Sequence, residues 1–467
     1  MRFVAARFIP WVIAGACLAH PGGAGAQPTA ADPMAPRQPL PAPAGLRPFP
    51  TPPEIATREL TLAEALTIAL GNQPQIQARL GDYVAALQRI DQALSPMLPQ
   101  IAAAASGTRS DQAVRVFSHS GSSFTGTVST GAAGRFSASQ LLWDFGKTWA
   151  ATEAEKARAE FSREDVELTK DLIVLAVKES NFNLLFAARL VVVSAQALDR
   201  AELNLRSAQG FFDVGTRPKS DVTRAEVDVA NARVDLIRAQ NAVSLARIAL
   251  NTSMGISINS PTRVRDILTY EKFPIDQQTL VAEALQRRPE YRQAKYRVDA
   301  SEATVRQTFR DFFPQLSAVG SVGGSTTRSE SGGAATGESG DWALGLQLSW
   351  SIFDGGNRIA RWKEAKANLD ASKARVRDAE LTIWQQVEQA YVNVTEAEER
   401  IGAAQKAVES AQENFRLFQG RFDAGVGNII ELTDAQLALT RAQSSEAQAR
   451  ADFRIASARL ERAVGRR

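Results

Sequence analysis

Few side chains in this 467-residue chain could perform catalytic chemistry. It contains two histidines, His20 and His119, and one cysteine, Cys17. His20 and Cys17 lie in a predicted leader peptide, and His119 stands in a Ser/Gly-rich stretch, residues 119–123, that we expect to be an exposed loop. A single histidine cannot build a multi-histidine metal site. Because the mature chain would carry no thiol, we also exclude disulfides and cysteine nucleophiles.

One short motif resembles part of a phosphate-binding loop. Residues Gly146, Lys147 and Thr148 match its end, but the loop needs a glycine five residues before its Gly-Lys pair, and that position is Leu141. The charge balance also argues against a nucleic-acid partner, because 54 Lys and Arg face 51 Asp and Glu without a basic block. We therefore predict neither an enzyme of this kind nor a nucleic-acid-binding protein.

The most informative carboxylates are Glu431 and Asp434, which follow a predicted helical turn at Gly425. Their spacing of three places both on one helical face. Each lies one residue before a position of the predicted apolar seam, so the pair is turned about 100° from that seam. In a tube of helices this direction can be the lumen, where carboxylates favour cations. The alternative is an ordinary exposed acidic pair near a helix N-terminus.

The elements that must position these residues occur twice. Residues 209–215 (QGFFDVG) match residues 419–425 (QGRFDAG) at an offset of 210. Three further matches keep the same order, namely 142–146 with 352–356 at that offset, and 98–100 with 313–315 and Pro74 with Pro289 at an offset of 215. Four ordered matches indicate two structural repeats, which we place at residues 59–265 and 266–467.

Two further segments precede the repeats. Residues 1–26 resemble a secretory signal peptide, with a basic start, an apolar run too short to span a bilayer and a small-residue cleavage site. The alternative is a lipoprotein signal in which Cys17 is acylated. Residues 27–58 hold ten of the twenty prolines and form a predicted Pro-rich extended linker. We find no later uncharged apolar run long enough for a transmembrane helix, so a membrane role requires β-strands.

Alternation with a period of two predicts four membrane strands. The clearest runs from Trp342 to Ile352, where large apolar residues alternate with small or polar ones. Tryptophans near both of its ends are typical of membrane interfaces, whereas a strand of a soluble sandwich is the alternative. Weaker alternation marks the other three strands, at residues 101–105, 136–142 and 316–322.

Helical patterns cover most of the remaining sequence. We predict one helix before the strands of each repeat, at 62–94 and 280–309, and a very long helix after an Asp-x-Gly motif, at 146–212 in the first repeat. At about 1.5 Å per residue, that helix would be about 100 Å long, which requires a rod or a tube. The helix after Gly215 has apolar residues at alternating spacings of three and four over residues 222–250, as in a coiled-coil seam.

Neither set of elements is complete within one chain. Four strands cannot close a barrel, and open sheet edges in lipid would leave backbone groups unpaired. A cyclic oligomer meets this need and also supplies neighbours for the helices. The predicted fold class is therefore mainly α with a membrane β-barrel portion, in which several chains share one α-helical barrel and one β-barrel.

The same motifs resemble those of the TolC-like outer-membrane efflux protein family. They comprise residues 60–66 (LTLAEAL) with Asn72 and Pro74, residues 98–100, residues 353–356 and the two glycine turns at Gly215 and Gly425. The resemblance covers about residues 59–467. It implies a trimer with a twelve-strand barrel in the outer membrane of a Gram-negative cell. A long periplasmic α-barrel and an equatorial region that includes residues 256–275 would extend from it into the periplasm.

The resemblance also implies roles for two groups of residues. Glu431 and Asp434 match acidic positions that ring the closed periplasmic entrance, with Glu in place of Asp at the first position, and Asp221 is the equivalent of Glu431 in the first repeat. Family members often have a latching arginine where this chain has Gly427, so that latch is in doubt here. The hairpin tips would dock an adaptor protein through Val214, Gly215, Thr216, Arg217, Ala424, Gly425, Val426 and Gly427.

The implied function is the exit duct of a tripartite efflux pump, without catalysis or cofactors. Its partners would be two further copies in a homotrimer, outer-membrane lipid, a periplasmic adaptor (membrane fusion) protein and an inner-membrane pump. An alternative within the same class is the outer-membrane component of type I protein secretion. An alternative of another class is a soluble periplasmic coiled-coil spacer, against which the strand pattern argues. The sequence does not identify the cargo.

Overall fold

A computed structural model describes residues 59–118, 121–268, 277–329 and 335–467. The predicted signal peptide with Cys17 and His20, the linker 27–58, and His119 lie outside the described residues. The described elements, in chain order, are α1 (Leu62–Asn72), α2 (Pro74–Leu94), a short 3₁₀ turn (Ser95–Met97), β1 (Gln100–Ser118), β2 (Gly121–Trp143), α3 (Lys147–Asp213), α4 (Lys219–Ser253), α5 (Gln277–Arg287), α6 (Pro289–Arg310), β3 (Gln315–Ser329), β4 (Ala335–Ser349), α7 (Asn357–Asp423) and α8 (Ile429–Val464). Two helices, two strands, a long helix and a further helix thus occur twice, which confirms the internal repeat.

The helix before the strands is divided in both repeats, so the prediction of single helices at 62–94 and 280–309 was wrong. Pro74 and Pro289 occupy the first position of α2 and α6. A proline disfavours the helical conformation of the residue before it. Accordingly Gln73 and Arg288 are extended, with ψ of 117° and 128°. The preceding helices α1 and α5 end there.

The long helices α3 and α7 each have 67 residues, as the sequence predicted for the first repeat. At about 1.5 Å per residue, each is about 100 Å long. The aspartate of the Asp-x-Gly motif caps each helix. Asp144 accepts hydrogen bonds from the amides of Gly146 (2.9 Å) and Thr148 (2.7 Å), and Asp354 accepts one from the amide of Arg358 (3.1 Å). These bonds satisfy amides that have no partner within the helix.

The four strands form one antiparallel sheet in the order β1-β2-β3-β4. Its register aligns Leu344 with Gly320, Gly320 with Ala138 and Ala138 with Ile101, so the residues predicted to face lipid share one face. The strands are longer than predicted. Residues 121–123, expected in a loop, belong to β2, whereas the alternation at residues 350–352 continues beyond the end of β4. A membrane strand needs only about 9–11 residues.

The helices form one layer in which α3 has different neighbours along its length. Its first part pairs with α2 and α6, for example where Asp165 meets Arg79 (3.3 Å) and the Gln293 amide (3.2 Å). Its later part lies between α4 and α8, where Asn204 donates to Gln436 (2.7 Å). α8 in turn packs on α7. The predicted seam residues of α4 and α8 are all buried or half-buried in these contacts.

Helix α2 continues α4 end to end, and α6 continues α8 in the same way. The Gln73 side chain donates to the carbonyl of Ser253 at the end of α4 (3.0 Å). A Cβ on Gly255 would lie 3.0 Å from the Gln73 Cα, and a Cβ on Gly465 would lie 2.9 Å from the Arg287 Cβ. The end of α4 therefore abuts the start of α2, and the end of α8 abuts the start of α6. These two glycines are 210 residues apart, so the sequence repeat contained this signal.

One described helix, α3, includes an 18-residue window with a mean hydropathy of 1.4, long and apolar enough by composition to cross a membrane. The sequence reading had found no such run because charged residues interrupt it. Part of α3 packs against α8 and the segment before α5, where Phe182 and Leu185 contact Leu268 and Ala458. Lys178 of α3 pairs with Glu461 of α8. Part of the apolar surface of α3 is therefore used in packing against α8, and the rest of it is accessible in the single chain.

Candidate functional site

Two helical hairpins end in similar turns, which we call the first tip (residues 214–217) and the second tip (residues 424–427). The Thr216 amide donates to the Phe211 carbonyl (3.0 Å), and the Val426 amide donates to the Arg421 carbonyl (3.1 Å). Gly215 and Gly425 have φ of +75° and +77°, a conformation that favours glycine. The tips are exposed, with Val214 and Val426 more than 70% accessible. The structure thus has the two glycine turns that the sequence predicted.

The two hairpins pack together just behind the tips. Phe422 is fully buried in a cluster with Ala208, Ala225 and Leu432. The Phe211 ring meets Phe422 edge-on at 5.7 Å between centroids. Burial of a large aromatic side chain contributes about 1.5–3 kcal/mol. The tips are therefore held at a fixed position relative to each other within one chain.

Arg217 joins the two tips. Its guanidinium donates to the Gly427 carbonyl (2.5 Å) and lies 4.4 Å from the centroid of Phe422. It also pairs with Asp221 (3.4 Å), and both side chains are largely buried. Hydrogen bonds to a charged group contribute about 1.5–3 kcal/mol each. No arginine stands at position 427, but Arg217 of the first repeat links the two tips.

The glycine at position 427 fits this contact sterically. A Cβ on Gly427 would lie 2.8 Å from the amide nitrogen of Phe422 and 2.9 Å from the carbonyl carbon of Arg421. Real Cβ atoms do not approach the backbone this closely, so a larger residue would displace the turn. Glycine here keeps its carbonyl within reach of Arg217. No local sequence pattern indicates this link, because the partners belong to different repeats.

The three predicted gate carboxylates differ in their surroundings. Glu431 is exposed, and its nearest cation is Arg421 at 4.0 Å. Asp434 is also exposed. Asp221 instead faces Arg217. Thr433, which lies between Glu431 and Asp434 in the sequence, donates to Asp228 of α4 (2.9 Å). In one chain, therefore, Glu431 and Asp434 lie on a free surface beside the tips, whereas Asp221 is neutralised by its arginine.

A second charged region lies where α5 and α6 meet the long helices. The buried Arg288 side chain donates to Glu290 (2.6 Å) and to Gln386 (2.7 Å). Burial raises the pKa of Glu290, but the hydrogen bonds and charge of Arg288 outweigh it and keep the pKa below its ordinary value. Nearby, Arg466 holds Glu283 through two hydrogen bonds of 2.9 and 2.6 Å, which lower the pKa of that carboxyl. These bonds fix α5 and the start of α6 to α7 and to the end of α8.

The other sequence candidates for chemistry take structural roles. Lys147, of the motif that resembles a phosphate loop, pairs with Asp311 at 2.7 Å. Within the described ranges, no group of three or more His, Cys, Asp or Glu side chains could hold a metal ion. A cavity of about 710 Å³ lies among α3, α7 and α8 and is lined by paired charges such as Arg400 with Asp452 (3.2 Å).

The sheet exposes an apolar face and two free edges. Trp342, Leu344, Leu346 and Leu348 of β4 are each 66–79% accessible. On the opposite face, Arg135 pairs with Asp341 (2.9 Å) across β3. The sheet order leaves the outer edges of β1 and β4 without a strand partner in the described chain. An apolar outer face, a polar inner face and free edges are what a segment of a membrane barrel shows.

This architecture, a barrel segment mounted on helices about 100 Å long, is that of an outer-membrane channel subunit that extends into the periplasm. The sequence model of the outer membrane efflux protein family matches residues 65–256 and 280–466. The chain therefore belongs to the outer membrane efflux protein family. The two matched ranges follow the two repeats of the structure.

Individual relatives agree with this assignment. Outer membrane protein TolC of Escherichia coli K12 is 24% identical over 375 residues, covering 78% of this chain and 74% of TolC. Nodulation protein T of Rhizobium leguminosarum bv. trifolii is 26% identical over 368 residues, covering 76% of each chain. Among solved structures, the Campylobacter jejuni CmeC outer membrane channel superposes with a TM-score of 0.72 at 18% identity, covering 86% of this chain and 85% of CmeC.

Proposed function

We propose that three copies of this chain close into the exit duct of a tripartite efflux pump. The observation that carries the proposal is the four-stranded sheet, which has an apolar face and two free edges. Free edges are not tolerated in lipid. Three such sheets joined edge to edge would give a closed barrel of twelve strands, an even number as in other outer-membrane barrels. Family membership supports the same assembly.

The helices support closure of the same ring. Contacts within the chain order the distal helices as α4, α3, α8 and α7, so α4 and α7 are the flanks. Both flanks carry exposed apolar residues, among them Val227 and Ile237 on α4 and Val392 and Leu417 on α7. Exposed apolar residues that form a contiguous surface along one helix mark contact surfaces, whereas isolated ones do not. In the ring, α7 of one copy would pack against α4 of the next.

The proposed gate lies at the distal end of this ring. Glu431 and Asp434 are exposed beside the second tip, and three copies would supply six carboxylates at the entrance. These charges would favour cations and slow passive leak. Arg217 would keep the entrance closed, because it ties the first tip to the Gly427 carbonyl. Asp221 belongs to the same group, where it orients the arginine.

The tips are the proposed docking site for a periplasmic adaptor protein. They are the ends of both hairpins, and Val214 and Val426 expose apolar surface there. An adaptor that bound both tips could compete with the Arg217 contact and open the entrance. The energy for transport would come from an inner-membrane pump.

The mass of the assembly in mild detergent tests the duct directly. We expect a trimer that conducts ions in a planar bilayer, and a conducting monomer would refute the proposal. Release from membranes by a salt wash would favour the soluble spacer. In a cell that lacks its own duct, restored efflux of small molecules together with unrestored export of a type I secretion substrate would separate the two channel functions.

A further inference from the structure

A continuous series of aromatic contacts leads from the sheet to the long helices. Trp143, at the end of β2, pairs with Leu316 and so shares the apolar face of the sheet. Ring centroids then follow one another at 6.0, 5.2, 5.8 and 6.1 Å, through Trp143, Phe145, Phe313, Phe309 and Trp362. All but the last of these rings are 42–58% exposed. The lipid-facing surface therefore continues below the strands onto α6 and α7.

Lys366 lies at the end of this aromatic series. Its ammonium is 3.7 Å from the centroid of Trp362, and the residue is exposed. The described part of the chain contains no carboxylate within ion-pair distance of this lysine. Ile359, seven residues before it on the same helical stripe, is 50% exposed. A free cation thus stands directly below an apolar surface.

The first repeat has the same arrangement. Trp149 and Lys156 of α3 are the equivalents of Ile359 and Lys366 at the offset of 210, and both are exposed. Two acids share this stripe, and each is paired with an arginine: Glu153 with Arg306 at 3.0 Å and Glu160 with Arg163 at 2.8 Å. Among the described residues, Lys156 forms no ion pair. Each chain therefore presents two free lysines at the same level, and a trimer would present six.

In the proposed duct, these lysines would lie near the level of the lipid phosphates. Seven residues of helix place each lysine about 10 Å beyond its apolar partner. Helical side chains lean toward the N-terminus, so both lysines extend back toward the membrane. Lysines near a hydrocarbon edge direct their ammonium groups to the headgroups. Anionic lipids attract such residues by about 1 kcal/mol each, which corresponds to about a fivefold preference.

We propose that Lys156 and Lys366 form a collar that binds anionic glycerophospholipids of the periplasmic leaflet. The trimeric duct above places this collar beneath the barrel, so the inference rests on the proposed function. The aromatic series fixes the depth of the chain in the leaflet, and the lysines select negatively charged headgroups. The ligand is a membrane lipid and not free phosphate, because the surface beside each lysine is apolar.

Native mass spectrometry of the full-length oligomer tests the collar. The wild-type protein, equilibrated in detergent with equal phosphatidylglycerol and phosphatidylcholine, should retain more phosphatidylglycerol. The Lys156→Gln/Lys366→Gln variant should lose at least about fivefold of this preference, whereas Lys406→Gln, an exposed lysine about 60 Å further along α7, should keep it.

Equal lipid retention by the double variant and the wild type, or no preference in the wild type, would overturn the proposal. Inorganic phosphate in excess should not displace the lipid, and displacement would point to a free-anion site instead. Channel conductance of the same samples separates the two hypotheses. Normal conductance with unchanged lipid preference refutes only the collar, whereas a monomer without conductance refutes the duct.

Discussion

The guanidinium of Arg217 lies 4.4 Å from the centre of the Phe422 ring and donates to the Gly427 carbonyl. Phe422 is fully buried, so the packing around its ring holds it in place against Arg217. One charged side chain of the first hairpin thereby sets the position of the second. This link is internal to each chain, and opening of the entrance by separation of the hairpins would have to break it.

Replacing Arg217 should loosen the tips. Arg217→Ala removes a charge-assisted hydrogen bond and a cation–π contact, a loss of about 1.5–3 kcal/mol. That energy would shift a closed–open equilibrium by about tenfold or more, so single channels should be open for a larger fraction of time. Arg224→Ala, an exposed arginine on the following helix α4, is the control. Equal open fractions in both variants would show that the arginine does not latch the entrance.

Removing the gate carboxylates should change ion selectivity. The Glu431→Ala/Asp434→Ala variant would lose six negative charges from the entrance of a trimer. Cation selectivity should fall, and the trivalent-cation concentration that blocks the channel should rise by more than about tenfold. Stability should change little because both residues are exposed. Glu409→Ala, an exposed acid on α7, should behave as wild type. If single-channel recordings show unchanged block, these are ordinary surface carboxylates.

Branched residues at the turn glycines should abolish export. Nothing lies within 4 Å of a Cβ on Gly215 or Gly425, so valine would meet no clash there. The left-handed conformation instead costs a branched residue at least about 1–2 kcal/mol, which should distort the exposed tip alone. Insertion of the barrel should remain intact. Gly420→Val, in the open helix five residues earlier, is the matched control. Normal export by both tip variants would exclude the tips as the docking site.

The ion pair between Glu283 and Arg466 should make the stability of the folded protein depend on pH. The hydrogen bonds from Arg466 hold the folded pKa of Glu283 below its ordinary value of 4.5. A depressed folded pKa stabilises the protein above the unfolded pKa, and that stability is lost as pH falls through the folded pKa. Glu283→Gln should therefore lower the melting temperature near neutral pH, and the two proteins should converge as the pH falls below 4.5 and through the lowered folded pKa.

Circular dichroism melts of the detergent-solubilised protein across this range would measure the effect. Glu226→Gln, an exposed glutamate on α4, should leave the profile unchanged. A constant difference between Glu283→Gln and wild type at every pH would show that the loss is one of packing and not of ionisation.

The aspartate caps of the long helices should differ in strength. Asp144 is 4% exposed and accepts from the Thr148 amide at 2.7 Å, whereas the Asp354 side chain is 24% exposed and accepts from the Arg358 amide at 3.1 Å. Asp144→Ala should cost about 1–2 kcal/mol, and Asp354→Ala should cost less. Urea unfolding of the detergent-solubilised protein compares them. A larger loss for Asp354→Ala would mean that its bond to the Arg358 side chain, at 3.0 Å, dominates the cap.

The sequence by itself determined the elements whose signals are local. The alternation from Trp342 identified a strand because side chains of a strand point to alternate faces. The 210-residue offset identified the repeats, and the glycines at 215 and 425 marked the hairpin turns because a left-handed turn favours glycine. The divided helices could also have been read from Pro74 and Pro289. Strand ends were less certain because Gly, Ser and Thr occur in loops and barrel strands alike.

Only the tertiary structure decided which distant residues meet. Arg217 and Gly427 belong to different repeats, and no local pattern states that a guanidinium in one turn reaches a carbonyl in the other. The end-to-end junctions at Gly255 and Gly465, and the aromatic series that ends at Lys366, likewise depend on how the helices pack. Periodicity fixes which face of an element is apolar, but the choice of neighbour depends on the combined shape and charge of all the faces.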